Sequence, residues 1–139
     1  QALDIDATGG VAISVAELER LHAMKTGALL RAAVRLGAIA AGVDDYTRER
    51  LDTFAEALGL GFQVRDDLLD VEGDSASLGK TAGKDAAQRK ATFPALLGLD
   101  ATRARLTTLS DAMRDALAPF GTQADALAAL GRAAVERTH

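Results

Sequence analysis

Asp66, Asp67 and Asp70 stand at spacing i, i+1 and i+4 in the run GFQVRDDLLDVEGD. On a helix that spacing puts three hard oxygen donors on one side, a set suited to Mg2+ shared with phosphates and water. At about 100° per residue, Asp52, Glu56, Gln63, Asp66, Asp67 and Asp70 share a stripe, while Leu51, Phe54, Leu58, Phe62 and Leu69 face away. Leu60, Val64, Leu68 and Val71 cover a third side. Acidic stripes are most often the solvated face of an amphipathic helix. Position weighs against that here, because the three aspartates, followed by Glu72 and Asp74, crowd the expected C-terminal end of the helix. The helix macrodipole is negative there and disfavours each carboxylate by a few tenths of a kcal/mol, which a bound cation offsets.

Lysine usage points to a phosphate partner. The chain holds 12 arginines but only four lysines, Lys25, Lys80, Lys84 and Lys90, in the contexts K-T-G, G-K-T, G-K-D and K-A-T. A single lysine is ordinarily a surface charge. Four compact ammonium groups beside Gly or Thr, in company with the aspartates, suit a diphosphate. G-K-T is no P-loop, since Asp74 stands where the first glycine of that motif belongs. His22 and His139 are too few and too far apart for a metal or triad assignment and read as surface residues; Ser14, Ser75, Ser77 and Ser110 lack a nucleophile-elbow setting.

Positioning these groups falls to helices. Helical spacing with abundant Ala and Leu predicts an all-α fold. Ser14 and Glu17 form a capping box opening a helix over Val15 to Met24, and a break or kink follows at Lys25 to Gly27. A mostly apolar helix spans Ala28 to Ala41, with Arg31 and Arg35 on one face, and Gly42 closes it. The long acidic helix is expected over about Thr47 to Val71, then a loop from Gly73 to Gly83. Three more helices are expected, at about Asp85 to Leu97, Ala101 to Leu117 and Gln123 to Arg137, with Pro119 and Gly121 in the last turn.

The composition is that of one globular domain: 139 residues, 48% hydrophobic, 26% charged and two prolines. A net charge of -4 leaves no basic footprint for nucleic acid, and no apolar run is long enough to span a bilayer. The lack of cysteine excludes a disulfide framework and suits a cytoplasmic protein. Gln1 is no initiator, and QALDIDATGG reads like the tail of an element begun upstream, so a truncated or processed chain is expected.

The runs KTGALLRAAVRLGAIAAG, GLGFQVRDDLLDVEGD, LGKTAGKD and RKATFPALLGL, in this order and spacing, resemble bacterial farnesyl diphosphate synthases, short-chain trans-polyprenyl diphosphate synthases. The likeness extends over nearly the whole chain, and F-Q-x-x-D-D-x-x-D followed by G-K is its most specific part. It implies that residues 1–139 are the C-terminal half of an isoprenoid synthase helical bundle. The implied reaction joins isopentenyl diphosphate to an allylic diphosphate, dimethylallyl or geranyl, with Mg2+ assisting departure of the diphosphate in a water-poor cavity.

By the same resemblance Asp66 is the principal Mg2+ ligand, Asp67 and Asp70 support it, and Asp85 holds the shell through water. Lys25 and Lys80 grip the allylic diphosphate, with Lys90 near it. Thr26 and Gln63 sit beside the reacting carbon, and Phe62 lines the homoallylic side. Family members are usually homodimers, and the released diphosphate serves as the base. The family's first D-D-x-x-D motif and its basic G-K-R-x-R-P stretch do not occur in this sequence. An isolated 139-residue chain is therefore expected to be inactive, and the product, farnesyl or geranylgeranyl, is left open. A non-catalytic helical module and a terpene cyclase are the alternatives; the intact D-D-L-L-D, in place of the N-S-E pattern of cyclases, ranks the latter lowest.

Overall fold

The computed structural model describes residues 13–77 and 91–138. Among them the chain is helical, with no strand. Ser14 caps α1 (Val15–His22) through the expected capping box, its side chain accepting from the Glu17 N–H while Glu17 reaches back to the cap N–H at 2.7 Å.

Where a break or kink is expected, at Lys25 to Gly27, the helix changes type and does not break. Ala23–Gly27 winds on as a π-helical turn and passes without interruption into α2 (Ala28–Ala40). Backbone packing explains this. A Cβ added at Gly59 would stand 2.7 Å from the Gly27 Cα, so Gly59 lets the π turn and the next helix touch main chain to main chain. Gly42, at φ 64°, reverses the chain after α2.

The central element is α3 (Asp45–Ser77), which packs against α2, α5 and α6. Asp44 caps it, accepting from the Thr47 N–H at 2.8 Å. It outruns its expected end at Val71: residues 73–77 of the expected loop are helical, and positions 78–83 lie outside the described residues. Glu72 is held by Arg65 at 3.6 Å and Arg103 at 3.2 Å, anchoring the helix where Gly73 weakens it. The longer helix removes the expected reason for a bound cation, since Asp66, Asp67 and Asp70 lie inside α3 and not in its last turn.

Of the helix expected over Asp85 to Leu97, the described part is helical from Phe93. Residues 85–90 lie outside the described part, and Thr92 is extended and caps the short α4 (Phe93–Leu97). Gly98, at φ 83°, turns the chain into α5 (Leu99–Leu117). A 3-10 stretch, Ala118–Ala124, then takes in Gln123, where the last helix was expected to start, and α6 (Asp125–Glu136) follows.

Phe54, Val64 and Leu68 of α3 are fully buried with Phe93, and Leu109, Met113 and Leu117 of α5 close over them. Burying a side chain of this size contributes about 1.5–3 kcal/mol. Arg50 of α3 donates to the carbonyls of Asp115 and Ala116, acceptors that the last turn of α5 leaves over. No helix among the described residues is long and apolar enough to cross a membrane.

Candidate functional site

The acidic stripe of α3 is two regions. In its first half Arg35 grips Asp52 with two hydrogen bonds, 2.7 and 2.6 Å, and Arg31 holds Glu56 at 2.9 Å. Hydrogen bonding to Arg35, with that charge beside it, keeps the Asp52 carboxyl below its ordinary range. These acids tie α3 to α2.

Beyond the Gly27–Gly59 contact the stripe turns inward. Gln63, one turn on, is buried at 7% exposure, and Asp67 at 9%. Asp67 Oδ2 accepts the Phe93 N–H at 2.8 Å, which fastens α4 to α3. Burial pushes its carboxyl up to about 6, the Phe93 hydrogen bond opposes that, the Asp70 and Asp66 charges push the same way, and Lys25 pulls back. Lys25, on the π turn, is thus electrostatically coupled to the D-D-x-x-D motif.

His22 is not a surface residue. Its side chain is largely enclosed, with Nε2 3.9 Å from Asp67 Oδ2 and its ring stacked on Phe93 at 5.6 Å between centroids. The assumption that a lone helical histidine faces water failed because the partners that enclose it lie 45 and 71 residues further along the chain. Its one local signal is its place one turn before Lys25.

Asp66 meets a different partner. Arg137, just past α6, donates from Nη2 to Asp66 Oδ1 at 2.6 Å, and its guanidinium lies 4.2 Å over the Phe62 ring. Nothing in the sequence around Arg137 marks this role. Asp70 is exposed.

The charges of Lys25, Asp66 and Asp70 thus all bear on Asp67, Gln63 is buried one turn before it on α3, Thr26 is half-buried beside Gly27, and Phe62 is half-buried under Arg137. Lys80, Lys84, Lys90 and Asp85 lie outside the described residues.

A family model for polyprenyl synthetase matches residues 1–128. The chain belongs to the polyprenyl synthetase family. It is 48% identical to the farnesyl diphosphate synthase of Escherichia coli K12 over 143 aligned residues, 99% of this chain and 47% of that protein. Among solved structures, an FPP/GFPP synthase from Zymomonas mobilis superposes with TM-score 0.82 at 37% identity, covering 97% of this chain and 44% of that one. A geranyltransferase from Helicobacter pylori, solved with magnesium and isoprenyl diphosphate, gives 0.72 at 31%, covering 98% and 44%. The chain thus spans a little under half the length of the relatives it matches. The isoprenoid synthase fold read from the sequence is the fold of these relatives.

In this chain the acids offered to a cation are all carboxylate oxygens, the donor type Mg2+ takes, and the upward push on Asp67 from its two neighbours is one that a dication would reverse. The donor chemistry fits. Their present geometry is not a formed cage: among the described residues no three acids converge at metal-holding distance, and Asp66 and Asp67 each have another partner.

Proposed function

We propose that this chain is the C-terminal half of a trans-polyprenyl diphosphate synthase and supplies the second aspartate-rich motif of a prenyl-transfer site. The observation that carries the reading is the approach of the π turn bearing Lys25 and Thr26 to the D-D-x-x-D face of α3 across Gly27 and Gly59. A cation-binding face and a phosphate-binding ammonium then border one space, as a diphosphate that must leave requires.

Asp66, with Asp67 and Asp70, would hold Mg2+, and Asp85 would add to the shell. When bound, the cation neutralises negative charge building on the departing diphosphate. Lys25, with Lys80 and Lys90, binds and orients that diphosphate. Gln63 and Thr26 present amide and hydroxyl dipoles to the carbon left positive, and the buried surface around Gln63 excludes water that would capture it. Phe62 offers its ring to the isopentenyl side.

Farnesyl diphosphate is the proposed product, supported by the Escherichia coli relative, and the FPP/GFPP name of the Zymomonas relative keeps longer products in view. Leu29, Leu36 and Ile39 form an exposed apolar row on the outer side of α2, Leu29 at 74% exposure, which supports burial against a second subunit in a homodimer. The lack of cysteine supports a cytoplasmic setting.

The test is condensation of labelled isopentenyl diphosphate with geranyl diphosphate in Mg2+, by this chain alone and mixed with the N-terminal half of a relative. The sequence holds one D-D-x-x-D motif; activity is expected in the mixture alone and is expected to be lost in Asp66→Ala. Activity of the single chain overturns the two-motif requirement, and silence in both favours a non-catalytic helical module.

A further inference from the structure

We propose that Arg137 is a displaceable counter-ion of Asp66, so that a divalent cation and the Arg137 guanidinium exclude each other at the D-D-x-x-D motif. The inference rests on the assignment of Asp66 to cation binding.

Arg137 is placed by several independent contacts. Its Nη2 donates to Asp66 Oδ1 at 2.6 Å and reaches the Phe62 carbonyl at 3.4 Å. The guanidinium plane covers the Phe62 ring, a cation–π arrangement. Arg65, one residue before Asp66, donates from Nε to the Arg137 carbonyl at 2.8 Å and fixes its main chain. The positive charge is thus built in, over the first aspartate of the motif.

The same contacts make it removable. The Arg137 Nε is buried with no hydrogen-bond partner, so the clamp is incompletely satisfied. Arg137 has already left the helix, with φ -55° and ψ 147°, so its side chain can swing away without unwinding α6. Asp66 remains 51% exposed, leaving a route for a hydrated ion to approach.

A dication on Asp66 would stand within a few ångströms of the guanidinium, and two positive charges at that range repel strongly in a partly desolvated site. Their binding is therefore coupled: Arg137 weakens the cation, and by linkage the cation loosens Arg137 equally. The consequence is a resting state in which the motif is neutralised from within, and loading Mg2+ frees the chain end after α6 from Phe62.

The test uses the full 139-residue chain, Mg2+ titration calorimetry and 15N NMR of arginine side chains. Arg137→Gln is expected to bind Mg2+ about tenfold more tightly than the parent, within the usual range of coupling between sites. Asp66→Asn should abolish binding in both backgrounds. In the parent, the Arg137 Nε resonance should shift with the same Mg2+ midpoint that calorimetry reads, a measurement that needs no variant to fold. Equal affinity in Arg137→Gln and parent, with Asp66→Asn still losing binding, overturns the counter-ion and leaves the Asp66 assignment standing. An Arg137 resonance untouched while Mg2+ binds does the same. Binding unchanged by Asp66→Asn, or absent from every variant, overturns the assignment and the proposal together.

Discussion

The two halves of the α3 stripe carry the same residue type in opposite circumstances. Asp52 and Glu56 are each matched to an arginine of α2. Asp67 is buried against Phe93 with two carboxylates for neighbours, and Asp66 borrows its counter-charge from beyond α6. The first half is an attachment between adjacent helices. The second sets one buried carboxylate, Asp67, beside two that reach solvent, and burying that charge raises folding cost unless a ligand uses it.

The sharpest way to break the comparison is at its midpoint. Gly59→Val places a Cβ against the Gly27 main chain, which cannot move aside; a loss of about 3 kcal/mol in urea unfolding is expected, together with the separation between the halves. Asp67 comes next. Its carboxyl is raised from 3.8 to about 6 in the folded chain. The neutral form is thus the one folding favours, and its contribution is complete below about pH 4 and lost as pH rises through 6. Asp67→Asn should flatten that slope, stabilising the chain at pH 8 by on the order of 1–2 kcal/mol after allowance for screening, and leave it unchanged at pH 3.

His22→Ala removes the ring stacked on Phe93 and should lower stability by about 1 kcal/mol, with faster amide exchange at Phe93. The smallest effect is expected from Asp52→Asn. Its pairing with Arg35 is solvent-exposed, so the variant should lower the unfolding midpoint slightly, lose that difference in 1 M NaCl, and leave Mg2+ binding untouched.

What could be read from residues alone followed the range of the interactions. The Ser14–Glu17 box spans three positions, and Phe54 and Leu58, one turn apart on the apolar face of α3, are both buried; both were legible. The D-D-x-x-D spacing and the K-T-G context marked Asp67 and Lys25, and the Lys25 charge acts on Asp67 in the fold. His22 and Arg137 escaped because the groups enclosing them are remote in sequence, and a lone histidine or an arginine just past a helix carries no local pattern. The end of α3 was misjudged for a related reason: Gly73 and the serines after it favour a loop locally, while Arg65 and Arg103 hold Glu72 within the helix. At Lys25 to Gly27 the structure uses Gly27 for main-chain contact with Gly59, a partner 32 residues away that no local pattern announces.

The π turn at Ala23–Gly27 also acts on counting. A turn that closes over five residues spaces its side chains differently from the α-helices on either side, so the phase of everything after it is set by how many residues it contains. Removing Thr26 or Gly27 from it would rotate Lys25 against Arg31 and Arg35 by roughly 100°. Either the ammonium or the two guanidinium groups would then point away from α3. A single-residue deletion here is thus a change of angle more than of length, because the Lys25 ammonium and the two arginines that fasten α2 to α3 share one register.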